Sequence, residues 1–291
     1  MTVLMRFGDR PCPVTDAQVH IWADDRPDRP WPPEGHARAH RSSAFTEDDL
    51  LREMDIGGVE RAVLVPPSFE GDYNDVAIAA AQRNPDRLTV MARFNPLAPD
   101  AITHLMELIA TPGVRGFRMT YHRPETWEHL RSDANEWFWA TLAAKSIPVM
   151  IYAPGQNAAL RDLGARHPAL RVIVDTLGLT LRMRDTELDG PIADLATLAV
   201  NPNIAVKATA LPAHVTDDYP FRSLVPYLRT VLGAFGPRRV FWASDLTRVP
   251  RIYREIVDYP TALNFATAED LTWFMGRGIS TWLNWPYQWE L

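Results

Sequence analysis

Eight short apolar, β-rich runs recur along this chain, separated by segments of helical periodicity. The runs cover residues 14–21, 61–65, 88–94, 114–119, 147–152, 171–175, 203–207 and 239–243. Several are too apolar for a half-exposed strand and suit a sheet buried on both faces. Helical patterns occupy 46–54, 73–83, 101–110, 136–144, 157–166, 191–199 and 223–235. The first of these opens on Thr46-Glu47-Asp48-Asp49, a capping-box-like start. Alternation of this kind predicts parallel βαβ units. Eight such units predict an α/β fold, a (β/α)8 TIM barrel forming a single domain over 1–291. The 291 residues exceed the roughly 250 that such a barrel needs.

Two segments break the rhythm. Residues 24–43 are rich in Pro, Arg and His and lack periodicity, so a long loop is expected after the first strand. Long loops at strand ends shape active sites. Residues 273–291 carry four Trp and one Tyr. They are expected to cap the barrel, with a homodimer interface as the alternative use. Net charge is -6 and no Lys/Arg block stands out, which argues against nucleic acid or an anionic membrane as partner. No apolar run approaches the roughly 18 residues that span a bilayer. Cys12 is the only cysteine, so an intramolecular disulfide and a CxxC metal site are excluded. The N-terminus lacks a signal-peptide pattern, and a cytoplasmic location is expected.

In such a barrel the strand C-termini converge on one mouth, where catalytic groups sit. Asp245 follows the eighth run and is a candidate base or metal ligand. Asp16, Gln18 and His20 alternate along the first run, so a period of two predicts that they share one face. The first and eighth strands are neighbours in a barrel, which sets these clusters against each other. Arg118 ends the fourth run and Arg123 lies just beyond, while Arg115 stands earlier in it. A guanidinium grips carboxylates with two bonds, so Arg118 and Arg123 suit an anionic small-molecule substrate. Tyr152 ends the fifth run, where a phenol could donate to an oxygen that develops charge. Ser68, after the second run, reads as a binding hydroxyl. Asn74 is expected to cap the next helix or touch substrate. Asp175 and Thr176 end the sixth run, the first to hold a neighbouring group and the second to bond substrate. Lys207 ends the seventh and is expected in a structural ion pair. Among the other histidines, His122 lies just past the fourth run.

Together these motifs resemble the amidohydrolase superfamily, in its amidohydrolase-related or family 2 branch, over nearly the whole chain. Asp16-Ala17-Gln18-Val19-His20-Ile21-Trp22 resembles the branch's first-strand Asp-x-His-x-His-x-Trp/Phe. Val114-Arg115-Gly116-Phe117-Arg118 resembles its fourth-strand Gly-Val-Arg-Gly-x-Arg, and Asp175-Thr176-Leu177-Gly178 its sixth-strand Asp-His-x-Gly. Ala205-Val206-Lys207-Ala208 resembles Val-Lys-Leu-Ser of the seventh strand, and Ala243-Ser244-Asp245 resembles Gly-Ser-Asp of the eighth. The departures matter equally. Metal-dependent members carry histidines where this chain has Gln18, Tyr152 and Thr176. Only His20 and Asp245 remain of that ligand set, too few for a tight Zn²⁺ site. The resemblance therefore implies a barrel with its site at the mouth and no cofactor, leaving a divalent metal such as Zn²⁺ as the open alternative.

Within the branch, Arg118, Tyr152, Ser68 and Asp245 match features of the metal-independent 2-pyrone-4,6-dicarboxylate lactonases. Those enzymes keep both first-strand histidines and the sixth-strand one, so Gln18 and Thr176 point to a different substrate. The implied activity is a metal-independent hydrolase opening a lactone or related activated ester of a carboxylated small molecule. Asp245 would deprotonate water, and His20, Tyr152 and Gln18 would polarise the carbonyl. Arg118, Arg123 and Ser68 would hold the anionic group. A decarboxylase or other lyase on the same scaffold, or a catalytically eroded ligand-binding homologue, are the alternatives.

Overall fold

The eight apolar runs become eight parallel strands. The structure, a computed structural model, describes residues 5–7 and 10–287. The strands are β1 (Thr15–Val19), β2 (Arg61–Leu64), β3 (Leu88–Arg93), β4 (Val114–Thr120), β5 (Val149–Tyr152), β6 (Val172–Val174), β7 (Ile204–Thr209) and β8 (Val240–Ala243). They pair in chain order. Just past its end β8 returns to β1: Asp245 N–H donates to Gln18 O at 3.1 Å, and His20 N–H to Leu246 O at 3.4 Å. The result is a single-domain (β/α)8 barrel.

Burial on both faces explains why the strands read as unbroken apolar runs. Ile173, Ala205 and Phe241 point into the barrel with Val63, Met91 and Met150. Their neighbours Val172, Val174, Ile204, Val206, Val240 and Trp242 belong to the outer core. The expected helices form, and Thr46 caps the first with a reciprocal bond to Asp49. Several elements were not legible beforehand, among them the helix Pro124–Arg131. A turn of helix, Gly35–Arg38, interrupts the 24–43 loop. The helix Tyr253–Ala262 after β8 contains Pro260, which reads as a breaker in sequence. A short antiparallel pair, Met5–Phe7 with Arg10–Cys12, precedes the barrel.

The aromatic C-terminal segment caps the barrel, as expected, as far as it is described; Trp289 lies outside the described residues. Ile279, Leu283 and Trp285 join the apolar cluster that fills the barrel interior. Three arginines at or beside the strand starts grip this segment by its carbonyls. Arg61 donates to Trp285 O at 3.0 Å, Arg115 to Asn284 O at 2.8 Å and Arg171 to Trp282 O at 2.6 Å. These are carbonyls that a helix end cannot satisfy internally. With the strand starts closed in this way, the open end of the barrel is the one where the strands finish. Among the described residues, no helix is long and apolar enough to cross a membrane.

Gly116 is fixed by close packing. A Cβ there would stand 2.7 Å from Met91 Cε and closer still to Pro148 O. Gly116→Ala should lower the free energy of unfolding by about 1–3 kcal/mol, the usual cost of overpacking. Urea denaturation tests this, and an unchanged midpoint would contradict it.

Candidate active site

A cavity of about 460 Å³ opens at the C-terminal ends of the strands. Gln18 and His20 line it from β1, Arg118 from β4, Tyr152 from β5 and Asp245 from beyond β8. Ser68 and Thr176 line it as well. The backbone is strained along this rim. Thr176, Leu177, Ala210 and Asp245 all hold left-handed φ between 50° and 56°, just after β6, β7 and β8. Such conformations cost free energy and concentrate where function fixes a side chain.

Asp245 is buried and surrounded by donors. His20 Nε2 lies 2.7 Å from its Oδ1, Gln18 Nε2 donates to the same oxygen at 2.9 Å, and Arg248 Nε lies 3.2 Å from Oδ2. The other nitrogen of His20, Nδ1, lies 2.5 Å from Val65 O, which can only accept. His20 Nδ1 therefore carries a proton. Burial raises the pKa of Asp245, but the bond and charge of His20 and the charge of Arg248 outweigh it and hold the carboxyl well below the usual range. His20 therefore bridges the Asp245 carboxylate and the Val65 carbonyl, one ring nitrogen to each.

A second charge network supports Arg118. Its Nε lies 2.7 Å from Asp175 Oδ2, and Lys207 Nζ lies 2.7 Å from Asp175 Oδ1. Both Asp175 and Lys207 are fully buried. Burial pulls the Lys207 ammonium down to about 8, against the attraction of Asp175. The expected structural pairing of Lys207 is thus present, and the group that Asp175 holds is the cavity's arginine. Arg118 also lies 5.6 Å from the Tyr152 ring centre. Burial raises the Tyr152 pKa, so the phenol keeps its proton for donation. His122 stacks on the same ring.

The loop over 24–43 supplies residues that the sequence did not single out. Arg29 pins it with buried bonds to Glu70 at 2.5 Å and to Asp75 at 2.8 Å. Arg38 and His40 then reach the cavity. His40 packs against Trp22, Phe69 and His20, and its Nδ1 meets Thr247 Oγ1 at 3.0 Å. Burial, then the charges of His20 and Arg248, pull it to about 3, so it is neutral. Arg93, Arg182 and Arg248 also line the wall. Five arginines therefore face one carboxylate, Asp245, in a chain whose net charge is -6.

Three expected site residues do not line this cavity. Asp16 is fully buried, accepting from Ser244 N–H at 2.9 Å, Gln18 N–H at 3.1 Å and Tyr253 OH at 2.9 Å. The β1–β2 register shifts between Asp16 and Val19, so strict alternation fails there. Ala17 points into the barrel and Val19 into the outer core, although a period of two would put them on one face. Asn74 makes no side-chain cap. Its amide closes on Arg93, donating to the carbonyl at 2.9 Å and accepting from the N–H at 2.7 Å. Arg123 pairs with Glu34 at 2.7 Å in an outer groove.

The Amidohydro_2 family model, described as "Amidohydrolase", matches residues 15–291. The chain belongs to this family. Two relatives are similar in sequence. An L-fucono-1,5-lactonase from Burkholderia ambifaria is 24% identical over 253 residues, 84% of this chain and 83% of that protein. A 4-sulfomuconolactone hydrolase from Rhizobium radiobacter is 28% identical over 208 residues, 68% of this chain and 64% of that protein. Among solved structures, a Burkholderia multivorans amidohydrolase with bound zinc superposes with a TM-score of 0.78 at 20% identity, covering 94% of this chain and all of that one (100%). A probable 2-pyrone-4,6-dicarboxylic acid hydrolase from Acinetobacter baumannii with citric acid bound gives 0.73 at 17% identity, covering 93% and 99%. The superpositions show that the barrel fold is shared.

Gln18 spends its amide N–H on Asp245, Tyr152 stays a phenol, and His20 and Asp245 bond each other. Among the described residues, no three His, Cys, Asp or Glu side chains converge as a ligand set.

Asp175→Asn would leave Lys207 and Arg118 without counter-charge. Unfolding free energy should fall by about 3–5 kcal/mol. Lys207→Met added to that variant should recover part of the loss. Urea denaturation of both variants checks this, and full stability of Asp175→Asn would contradict the account.

Proposed function

We propose that this chain is a lactonase that opens the ring of an anionic lactone without a resident metal. The observation that carries this reading is the cavity in which five arginines face the single carboxylate of Asp245. A cationic, partly desolvated wall favours a carboxylate or sulfonate on the substrate. The names of the two sequence relatives, both lactone hydrolases, support the reaction class.

Asp245 accepts a proton from water, and the water oxygen attacks the lactone carbonyl carbon. The carbonyl oxygen becomes an oxyanion that the Tyr152 phenol and the remaining N–H of the Gln18 amide stabilise, while His20 holds Asp245 in place. Collapse breaks the ring C–O bond. The departing alkoxide takes the proton from Asp245, giving a hydroxy acid whose new carboxyl group then releases its proton to solvent. Arg118, held in place by Asp175, pairs with the substrate's anionic group, and Ser68 and Thr176 offer hydroxyls to it. Substrate is also the natural partner for Arg248. An incoming anion that draws Arg248 away removes one of the charges that depress Asp245, while His20 stays bonded to it.

Asp245→Asn keeps the shape of the side chain but removes the base. Ring opening should slow by at least about 100-fold, the lower end for a general base, with circular dichroism and melting unchanged. Turnover near the parent rate in this variant would sink the assignment. Product analysis adds a second check, because release of CO₂ in place of a hydroxy acid would move the reaction to a decarboxylase.

A further inference from the structure

The reaction cavity continues into an outer compartment of about 420 Å³. Five residues line both spaces: Arg38, Ser68, Arg93, Thr120 and His122. All five are polar, so the passage between the compartments is a polar waist. Arg93 and Thr120 end β3 and β4. In a barrel whose eight strands pair in chain order, these ends lie across the mouth from β8 and Asp245.

Arg93 lacks an adequate counter-charge. Its side chain is 14% exposed, and the nearest carboxylate, Asp72, is 60% exposed and 3.5 Å away. Arg93 Nε is buried, and its contact to Asp72 is too long for a strong bond, against 2.7 Å from Arg118 Nε to Asp175. Its pairing partner across β3 and β4 is Arg118, another cation. Arg118 is matched by Asp175, and Arg123 by Glu34. Arg38 has only a long contact, 3.5 Å, to the carbonyl of Glu34, and no carboxylate within 4.0 Å among the described residues. A desolvated cation without an anion is costly, and an incoming anion offsets that cost.

We propose that Arg93 and Arg38 form a second anion subsite at the waist, so that the substrate carries a second anionic group on an arm reaching toward the outer compartment. The word substrate rests on the lactonase reading; the subsite itself needs no turnover. Asn74 clamps the backbone of Arg93 on both sides, and the loop pinned by Arg29 delivers Arg38. Arg93 and Arg38 are then determinants of specificity, remote from the scissile bond.

The test is calorimetric titration at low ionic strength with α,ω-dicarboxylates from malonate to suberate, each compared with its monocarboxylate. One chain length should bind at least about tenfold tighter than its monocarboxylate, the worth of one charge-assisted contact. That preference should shrink toward equality in Arg93→Gln and in Arg38→Ala. Arg38 sits on the loop, so its variant keeps the test open if Arg93→Gln does not fold. Equal binding of mono- and dicarboxylates at every length, or a preference untouched by both variants, would overturn the subsite. A dicarboxylate preference without lactone opening would uphold the subsite and remove the lactonase reading. Lactone opening without that preference would do the reverse.

Discussion

The barrel's active end depends on one buried carboxylate. β1 and β8 must meet for the barrel to close, yet they share only a few backbone bonds beyond the strand ends. Asp16 holds this seam, accepting from Ser244 N–H on one side, Gln18 N–H on the other and the Tyr253 phenol behind. Burial pushes its carboxyl up to about 6, against these bonds. Ser244 directly precedes Asp245, and Gln18 lies two residues before His20. The bonds that close the barrel therefore also bring His20 and Gln18 onto Asp245 within 2.9 Å.

Above this seam the molecule separates its charges by function. The Asp175 carboxylate sits between Lys207 and Arg118, so one buried anion serves two cations and leaves the guanidinium beside Tyr152. The Asp245 carboxylate is likewise shared by His20, Gln18 and Arg248. Arg93 and Arg38, with the exposed Arg182, carry cationic charge that the described residues leave poorly matched. At the opposite end, apolar side chains and three arginine-to-carbonyl clamps close the interior. The cavity opens at the mouth, where polar side chains and the left-handed backbone of Thr176 and Asp245 come together.

Much of the fold was legible because burial on both faces leaves a strong apolar signature in every strand. The reading failed where a local rule was broken by longer-range structure. Asp16 was placed with Gln18 and His20 by period two, but the register shift after it turns it out of the cavity. Asn74 resembled a cap, yet its amide is consumed by the backbone of β3, far off in sequence. His40 and Arg38 stand in an aperiodic loop whose position is set by Arg29, Glu70 and ring contacts to Trp22 and Phe69. No spacing in the sequence encodes those contacts. Arg93 ended a recognised strand and could have been noticed as a strand-end cation, the same signal that picked out Arg118.

The central claim is that hydrolysis at this site runs on the His20, Gln18 and Asp245 cluster and the cationic wall, without a metal. The most direct measurement is elemental analysis of protein purified without chelator, paired with its rate on a carboxylated lactone before and after chelator treatment. The expected result is Zn²⁺ and Mn²⁺ content well below about one equivalent, with the rate unchanged by the chelator. A full equivalent of metal, with activity lost on stripping and restored by Zn²⁺, would contradict the account.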